Sequence, residues 1–103
     1  MGDEFGQTSE WNYKSELQWE LLEHDPHRKL QQCVKDLNAL YRDHPAMHEH
    51  QFNPAGFEWG DLSHRDECVI SFKRKCGKPK EEMLVLLNMT PVPRHNWEVY
   101  VHG

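Results

Sequence analysis

The apolar residues of this 103-residue chain change their spacing at Pro45, and this change constrains the fold more than any other feature. Before Pro45 they recur every three or four positions, as on one face of a helix. Asp25 is a suitable N-cap and Pro26 suits the first helical position. His44 and Pro45 form a stop signal. The pattern therefore predicts a helix over 26–43 with one apolar stripe: Leu30, Cys33, Val34, Leu37, Leu40 and Tyr41.

After Pro45, apolar and polar residues alternate with a period of two, which is typical of half-buried strands. This alternation predicts a short strand at Phe57–Trp59. It also predicts a longer strand in which Cys68, Ile70 and Phe72 share the inward face. Gly77 and Pro79 then mark a turn.

Two further segments complete the predicted sheet. Residues 83–87 are continuously apolar, which predicts a central strand covered on both faces. Residues 97–102 alternate again and predict a last strand, with Trp97 in the core. One main helix followed by an antiparallel sheet makes the predicted fold class α+β. Because such a sheet needs a second layer on each face, we expect a partial β-sandwich and a chain that is a piece of a larger protein.

Composition and charge exclude several classes of function. The net charge of −5 argues against binding a phosphate backbone, and the basic run 73–75 is expected to be a solvated hairpin tip. The three cysteines form no CxxC motif, which fits a reducing compartment. The sequence contains no apolar stretch long enough to span a membrane. We therefore expect a cytoplasmic protein with no nucleic-acid or membrane partner and no cofactor.

A series of short motifs resembles 1,4-α-glucan (glycogen) branching enzymes of the α-amylase superfamily. Each motif is weak alone, but together they follow the family's order and spacing along nearly the whole chain. The strings Gly-Phe-Glu-Trp at 56–59 and Asn-Met-Thr-Pro-Val-Pro-Arg at 88–94 resemble branching enzymes more than general α-amylases. Asp3 and Met89 are small departures from the family pattern. The motifs lie at residues 1–7, 10–12, 17–19, 36–42, 45–49, 52–59 and 88–94.

The resemblance implies a location within a larger enzyme. Residues 1–45 would be the last loop and helix of the catalytic (β/α)8 barrel, and residues 46–103 the first part of the C-terminal β domain. The implied reaction moves an α-1,4-glucan segment to an α-1,6 position by double displacement, which requires two carboxyl groups. The family's catalytic carboxylates come from earlier barrel strands, so we expect none in this chain and no activity from it alone. The alternatives are a fragment of a related debranching or hydrolytic enzyme, or a stand-alone carbohydrate-binding module.

Three residues are candidate substrate-binding groups for an α-1,4-glucan such as glycogen or a malto-oligosaccharide. Only residues 1–24 would approach the chemistry of the barrel, and there Glu4 and Trp11 are expected to shape the wall of the site. Trp59, beside Gly60 and Asp61, could stack on a sugar ring or pack in the sandwich core, and both interpretations stay open. The other expected partner is the rest of the barrel, against which Trp19 would pack.

The histidines and cysteines carry more modest expectations. His44, His48 and His50 are spaced loosely, and a solvated loop is favoured over a metal site. Cys33 and Cys68 are expected to be buried thiols, and Cys76 an exposed one in the hairpin turn.

Overall fold

The computed structural model describes residues 1–101 and divides into two compact units, Met1–Leu40 and a second unit that begins at Tyr41. The first unit holds most of one helix, and the second holds one antiparallel sheet. The predicted α+β class is therefore confirmed. In residues 1–101, no helix combines the length and apolarity needed to cross a membrane.

Short turns joined by loop form the N-terminal segment that precedes the helix. It forms two 3-10 turns, Asp3–Phe5 and Trp19–Glu23. Phe5 is the buried centre of this segment, with its ring centroid 5.4 Å from that of Trp19. His27 Nδ1 lies 2.7 Å from the Phe5 carbonyl oxygen, and this nitrogen donates because the carbonyl can only accept. Trp19 itself remains 54% exposed within the described chain, and its packing against the rest of the barrel stays a prediction.

Helix α1 spans Asp25–Asp43, in agreement with the prediction to within one residue. Asp25 is its first helical residue rather than its N-cap, and the Asp25 carboxylate pairs with Arg28 one turn later. Within the described chain, no residue of α1 is buried, and Leu37 on the predicted stripe is 58% exposed. The spacing identified the helix correctly, but the stripe is uncovered in residues 1–101.

Within residues 1–101 the sheet has three strands: β1 at Phe57–Trp59, β2 at Val69–Cys76 and β3 at Glu81–Asn88. They pair antiparallel in the order β1-β2-β3, so β2 is central and β3 lies at an edge. The prediction of a central strand at 83–87 is therefore wrong. In the described chain Leu84, Leu86 and Leu87 each expose between 39% and 45% of their surface, whereas Met83 and Val85 are half-buried.

The covered face of β2 is the opposite of the predicted one. Val69, Ser71 and Lys73 are buried, whereas Ile70 and Phe72 are half-buried. The 3-10 turns Pro45–Met47 and Pro54–Gly56 pack against β2.

The cysteine predictions are reversed as well. Cys33 and Cys68 are exposed, and Cys76 is buried. Cys68 precedes β2 with a positive φ of 53°, which removes it from the strand alternation. The Cys76 thiol ends β2 and donates to the Pro79 carbonyl oxygen at 2.8 Å. The pKa of the Cys76 thiol is raised, and burial is the largest cause of this shift.

The basic run 73–75 lies within β2 rather than at a solvated tip. Lys73 is 6% exposed, and its Nζ lies 3.6 Å from Glu82 Oε2. Lys75 forms an ion pair with Glu58. Arg74 donates to the Met47 carbonyl oxygen at 3.2 Å. The carboxylate partners of the two lysines and the carbonyl acceptor of Arg74 explain how a basic run enters a central strand, since buried charges need partners.

The predicted last strand does not form in its described part, 97–101. Trp97 is half-buried, and its ring meets the His64 ring edge-on at 4.6 Å. The preceding turn is fixed by Asn88, whose Oδ1 accepts from the Thr90 amide and hydroxyl and whose Nδ2 donates to the Val92 carbonyl. The remaining residue of that prediction, His102, lies outside the described residues.

Candidate functional site

The first unit presents a loop whose two ends are joined by glutamine side chains. Gln18 Oε1 accepts hydrogen bonds from the Thr8 amide at 3.0 Å, the Thr8 hydroxyl at 3.1 Å and the Ser9 amide at 3.1 Å. The Gln18 amide in turn donates to Gln7 Oε1 at 3.0 Å. We call the Gln7 and Gln18 side chains the glutamine clasp. They close residues 8–17 into a compact loop of the Ω type, with its ends side by side.

A buried glycine supports this clasp. Gly2 has a φ of +83° and is buried below the Gln7 side chain. A Cβ atom at Gly2 would lie 2.7 Å from Gln7 Oε1, closer than real Cβ contacts allow. Glu4 is exposed in the turn next to Gly2.

The closed loop carries two exposed aromatic rings. Trp11 is 60% exposed and Tyr13 is 71% exposed, with ring centroids 5.8 Å apart and planes tilted by 39°. Asn12, between them, accepts the Lys14 amide at 2.9 Å in an Asx turn. Lys14 Nζ lies 5.6 Å from the Tyr13 ring centre. This is a small aromatic surface with a cation at one side.

Trp59 lies in the second unit, at the end of β1. Its ring lies edge-on to the rings of Phe57 and Phe72, with centroid distances of 4.8 Å and 6.2 Å. It is nevertheless 57% exposed. One side of the indole therefore packs on the sheet and the rest faces solvent, and stacking on a sugar ring stays a prediction.

A surface depression of about 250 Å³ adjoins this indole and is lined by Trp59, Gly60, Asp61 and Tyr100. Asp61 is held in place by the Ser63 amide at 2.8 Å and by His64 Nε2 at 3.2 Å. Hydrogen bonds from the Ser63 hydroxyl, then from its amide, lower the pKa of Asp61, with a smaller effect of His64. The carboxylate therefore stays ionised and can accept hydroxyl protons beside an aromatic face.

The three loop histidines make separate contacts. His44 Nδ1 lies 2.6 Å from Glu81 Oε1, and Glu81 Oε2 also accepts the Ala46 amide at 3.1 Å. The His48 ring packs on the Tyr41 ring, with the two centroids 5.3 Å apart. His50 Nε2 lies 3.9 Å from a Glu49 carboxylate oxygen. Among the described residues, no group of three potential ligands is placed to hold a metal ion.

Several known proteins are similar to this chain in sequence. No protein-family model matches the chain. Over 101 residues it is 50% identical to the 1,4-alpha-glucan branching enzyme GlgB of Aquifex aeolicus, and 48% identical to that of Nitrosomonas eutropha. Over 102 residues it is 46% identical to that of Marinobacter nauticus. Each match covers 98% of this chain.

The predicted resemblance to 1,4-alpha-glucan branching enzymes is confirmed. The chain spans only 14–16% of the length of these relatives, so it is similar to one segment of such an enzyme. The matches run through the N-terminal loop, helix α1 and the sheet together.

Sequence reasoning found some of the residues at the candidate site and missed others. Glu4 and Trp11 belong to the first unit and Trp59 to the second. Tyr13 was missed, although its position two residues after Trp11 could have indicated a paired ring. Tyr100 was missed because the alternation of 97–102 placed it on a strand. The partners of Gln18 lie nine and ten residues away and leave no periodic signal.

Proposed function

We propose that this chain is a segment of a glycogen branching enzyme, a hexosyltransferase that moves an α-1,4-glucan segment to an α-1,6 position. The observation that carries the proposal is the identity of 46–50% to three enzymes of that name, each over 98% of the chain. Residues 1–45 contribute the last loop and helix of the barrel, and residues 46–103 begin the C-terminal β domain. The division of the structure near Tyr41 supports a boundary in this region.

In this proposal the chain supports catalysis and holds glucan, and it carries out no chemistry itself. A retaining transfer needs two carboxyl groups about 5 Å apart on either side of the scissile bond. The acidic residues of the N-terminal loop, Glu4 among them, are exposed, which favours a role in the wall of the site. We infer that the enzyme acts in the cytoplasm without a cofactor, and that its partner is an α-1,4-glucan rather than nucleic acid or a membrane.

Three residues are proposed to contact the glucan. Glu4 and Trp11 form part of the site wall in the first unit. Trp59 offers a partly free indole face next to the ionised Asp61, and this combination suits a sugar ring with an apolar C–H face and hydroxyl edges.

A chimeric enzyme tests the proposal. The matching segment of the Aquifex aeolicus branching enzyme is replaced by this chain, and the products formed from amylose are examined by proton NMR. We expect new α-1,6 anomeric signals at a rate comparable with that of the unmodified enzyme. A chimera that folds with unchanged circular dichroism but forms no α-1,6 linkages would contradict the assignment. The isolated chain, assayed in parallel, should release no reducing ends and form no branches.

A further inference from the structure

The loop at 8–17 combines exposed aromatic rings with ends that are fixed by hydrogen bonds. Exposed loops usually carry polar tips, yet this one exposes most of Trp11 and Tyr13. Polar loops also tend to be mobile, yet the ends of this one are fixed by four hydrogen bonds through Gln7 and Gln18. A loop that is held rigid while its rings face outward is suited to binding, because little conformational freedom is lost when a ligand arrives.

The clasp holds the loop through neutral groups. Gln18 Oε1 accepts three donors from Thr8 and Ser9, and the carbonyl of Gln7 accepts the backbone of Gln18. None of these bonds is ionic, so salt does not screen them. Gly2 leaves room for the Gln7 side chain, which a Cβ atom would displace.

The two rings form a shared surface at the far side of the loop. The Asx turn from Asn12 to Lys14 contains Tyr13, and the centroid of the Tyr13 ring lies 5.8 Å from that of the Trp11 ring. Their planes are tilted by 39°, and the Lys14 amine, which lies over the Tyr13 ring, can donate to hydroxyl groups. Exposed aromatic rings with a donor beside them match the C–H face and hydroxyl rim of a sugar.

We propose that Trp11 and Tyr13 together form a two-ring platform for the α-1,4-glucan, and that Gln7 and Gln18 are the residues that position it. This inference rests on the proposed function and adds to it Tyr13 as a contact and the glutamine clasp as a positioning device. Tyr13 contributes to affinity, and the clasp contributes through Tyr13 and Trp11 rather than by touching the glucan.

The test is a titration of the isotope-labelled full chain with maltoheptaose, in which the indole N–H signal of Trp11 is followed by NMR. The signal is assigned with Trp11→Phe. We expect a saturable shift. Tyr13→Ala should weaken binding roughly three- to tenfold, while Tyr13→Phe retains it. Phe52→Ala serves as the matched control, because Phe52 is 96% exposed and lies in the other unit.

The clasp is tested with a pair of substitutions of similar size. Gln18→Met removes the acceptor and should weaken maltoheptaose binding to a similar degree, whereas Gln18→Glu keeps an acceptor oxygen and should restore it. In the chimeric enzyme, Gln18→Met should raise KM for the glucan and leave kcat unchanged. Circular dichroism at 222 nm checks that helix α1 is intact in every variant.

Three results would overturn the inference: a Trp11 signal that does not move, a shift confined to the Trp59 indole, or equal affinities for Gln18→Met and the unmodified chain. The first would assign the rings to packing against protein rather than to glucan. A chimera that forms branches while Trp11 stays silent would refute the platform and leave the proposed function standing. A Trp11 response in a chimera that forms no branches would refute only the proposed function.

Discussion

Gly60 is the position where a single methyl group should disturb the candidate glucan surface most clearly. It follows Trp59, and its amide donates to the Ser71 carbonyl oxygen at 2.8 Å. A Cβ atom at Gly60 would overlap Ser71 Oγ and would lie 3.0 Å from the Ser71 carbonyl oxygen. Ser71 is 3% exposed and sits in the central strand, so it has little room to move away.

The size of the effect follows from this overlap. Inserting a methyl group into a packed site costs about 1–3 kcal/mol of unfolding free energy. Gly77→Ala is the matched control, because the atom nearest to its Cβ would be His50 Nε2 at 3.8 Å, an ordinary contact. That substitution should add about 0.4–1 kcal/mol by restricting the unfolded chain. Gly60→Ala restricts the unfolded chain to the same extent, so this gain cancels and the two variants should differ by about 1–3 kcal/mol.

Thermal unfolding followed by near-ultraviolet circular dichroism measures this difference, since the aromatic cluster around Trp59 supplies the signal. For a domain of this size, each kcal/mol shifts Tm by about 4–8 °C, so Gly60→Ala should melt at least about 4 °C below Gly77→Ala. Ser71→Ala should relieve part of the penalty in a double-mutant cycle, because it removes the overlapping hydroxyl. Two variants with the same Tm would refute the reasoning.

Three further results are expected. Alkylation with iodoacetamide should label Cys33 and Cys68 quickly and Cys76 slowly, as judged by mass spectrometry, and equal rates would contradict the burial of Cys76. Glu81→Gln should lower Tm, because hydrogen bonds from His44 and then from the Ala46 amide lower the pKa of the Glu81 carboxyl group. The stabilisation by this carboxylate is complete above the usual glutamate pKa and is lost as pH falls through the lowered pKa. A Tm deficit of the variant that is the same at neutral and strongly acidic pH would argue against this role. In the chimeric enzyme, Trp59→Ala should raise KM for long glucans about two- to tenfold, and an unchanged KM would remove Trp59 from the proposed contacts.

Helix α1 and β1 were predictable because their signals are local. The helix signal lies within the segment, in the three- and four-residue spacing and in the stop at Pro45, and the structure ends α1 at Asp43. The predicted strand Phe57–Trp59 coincides with β1. Such elements depend on neighbours in sequence, which a single chain displays directly.

The glucan-facing candidates were only partly predictable for a different reason. An exposed tryptophan draws attention by its type, so Trp11 and Trp59 could be proposed from sequence. The glutamine clasp could not, since glutamine has no strong local preference and its partners lie about ten residues away. Positioning residues of this kind become visible only when the loop geometry is known.

The sheet separates what alternation can predict from what it cannot. It correctly placed Ile70 and Phe72 on one face, but it chose that face as the covered one, whereas Val69, Ser71 and Lys73 are more buried. Alternation reports which side chains share a face, while burial depends on what packs against that face.

The charged residues of β2 indicate its central position in the sheet, which the alternation of apolar residues did not reveal. In the observed register, Glu58 lies opposite Lys73 and Glu82 lies opposite Lys75. The ion pairs form along the two diagonals, Lys73 with Glu82 and Lys75 with Glu58, as expected for long side chains on one face of neighbouring strands. Because acidic residues flank β2 on both sides, a lysine-bearing strand can occupy the centre of the sheet. Lys73 and Lys75, two members of the basic run that suggested a solvated tip, are therefore the cationic half of a three-strand ionic ladder.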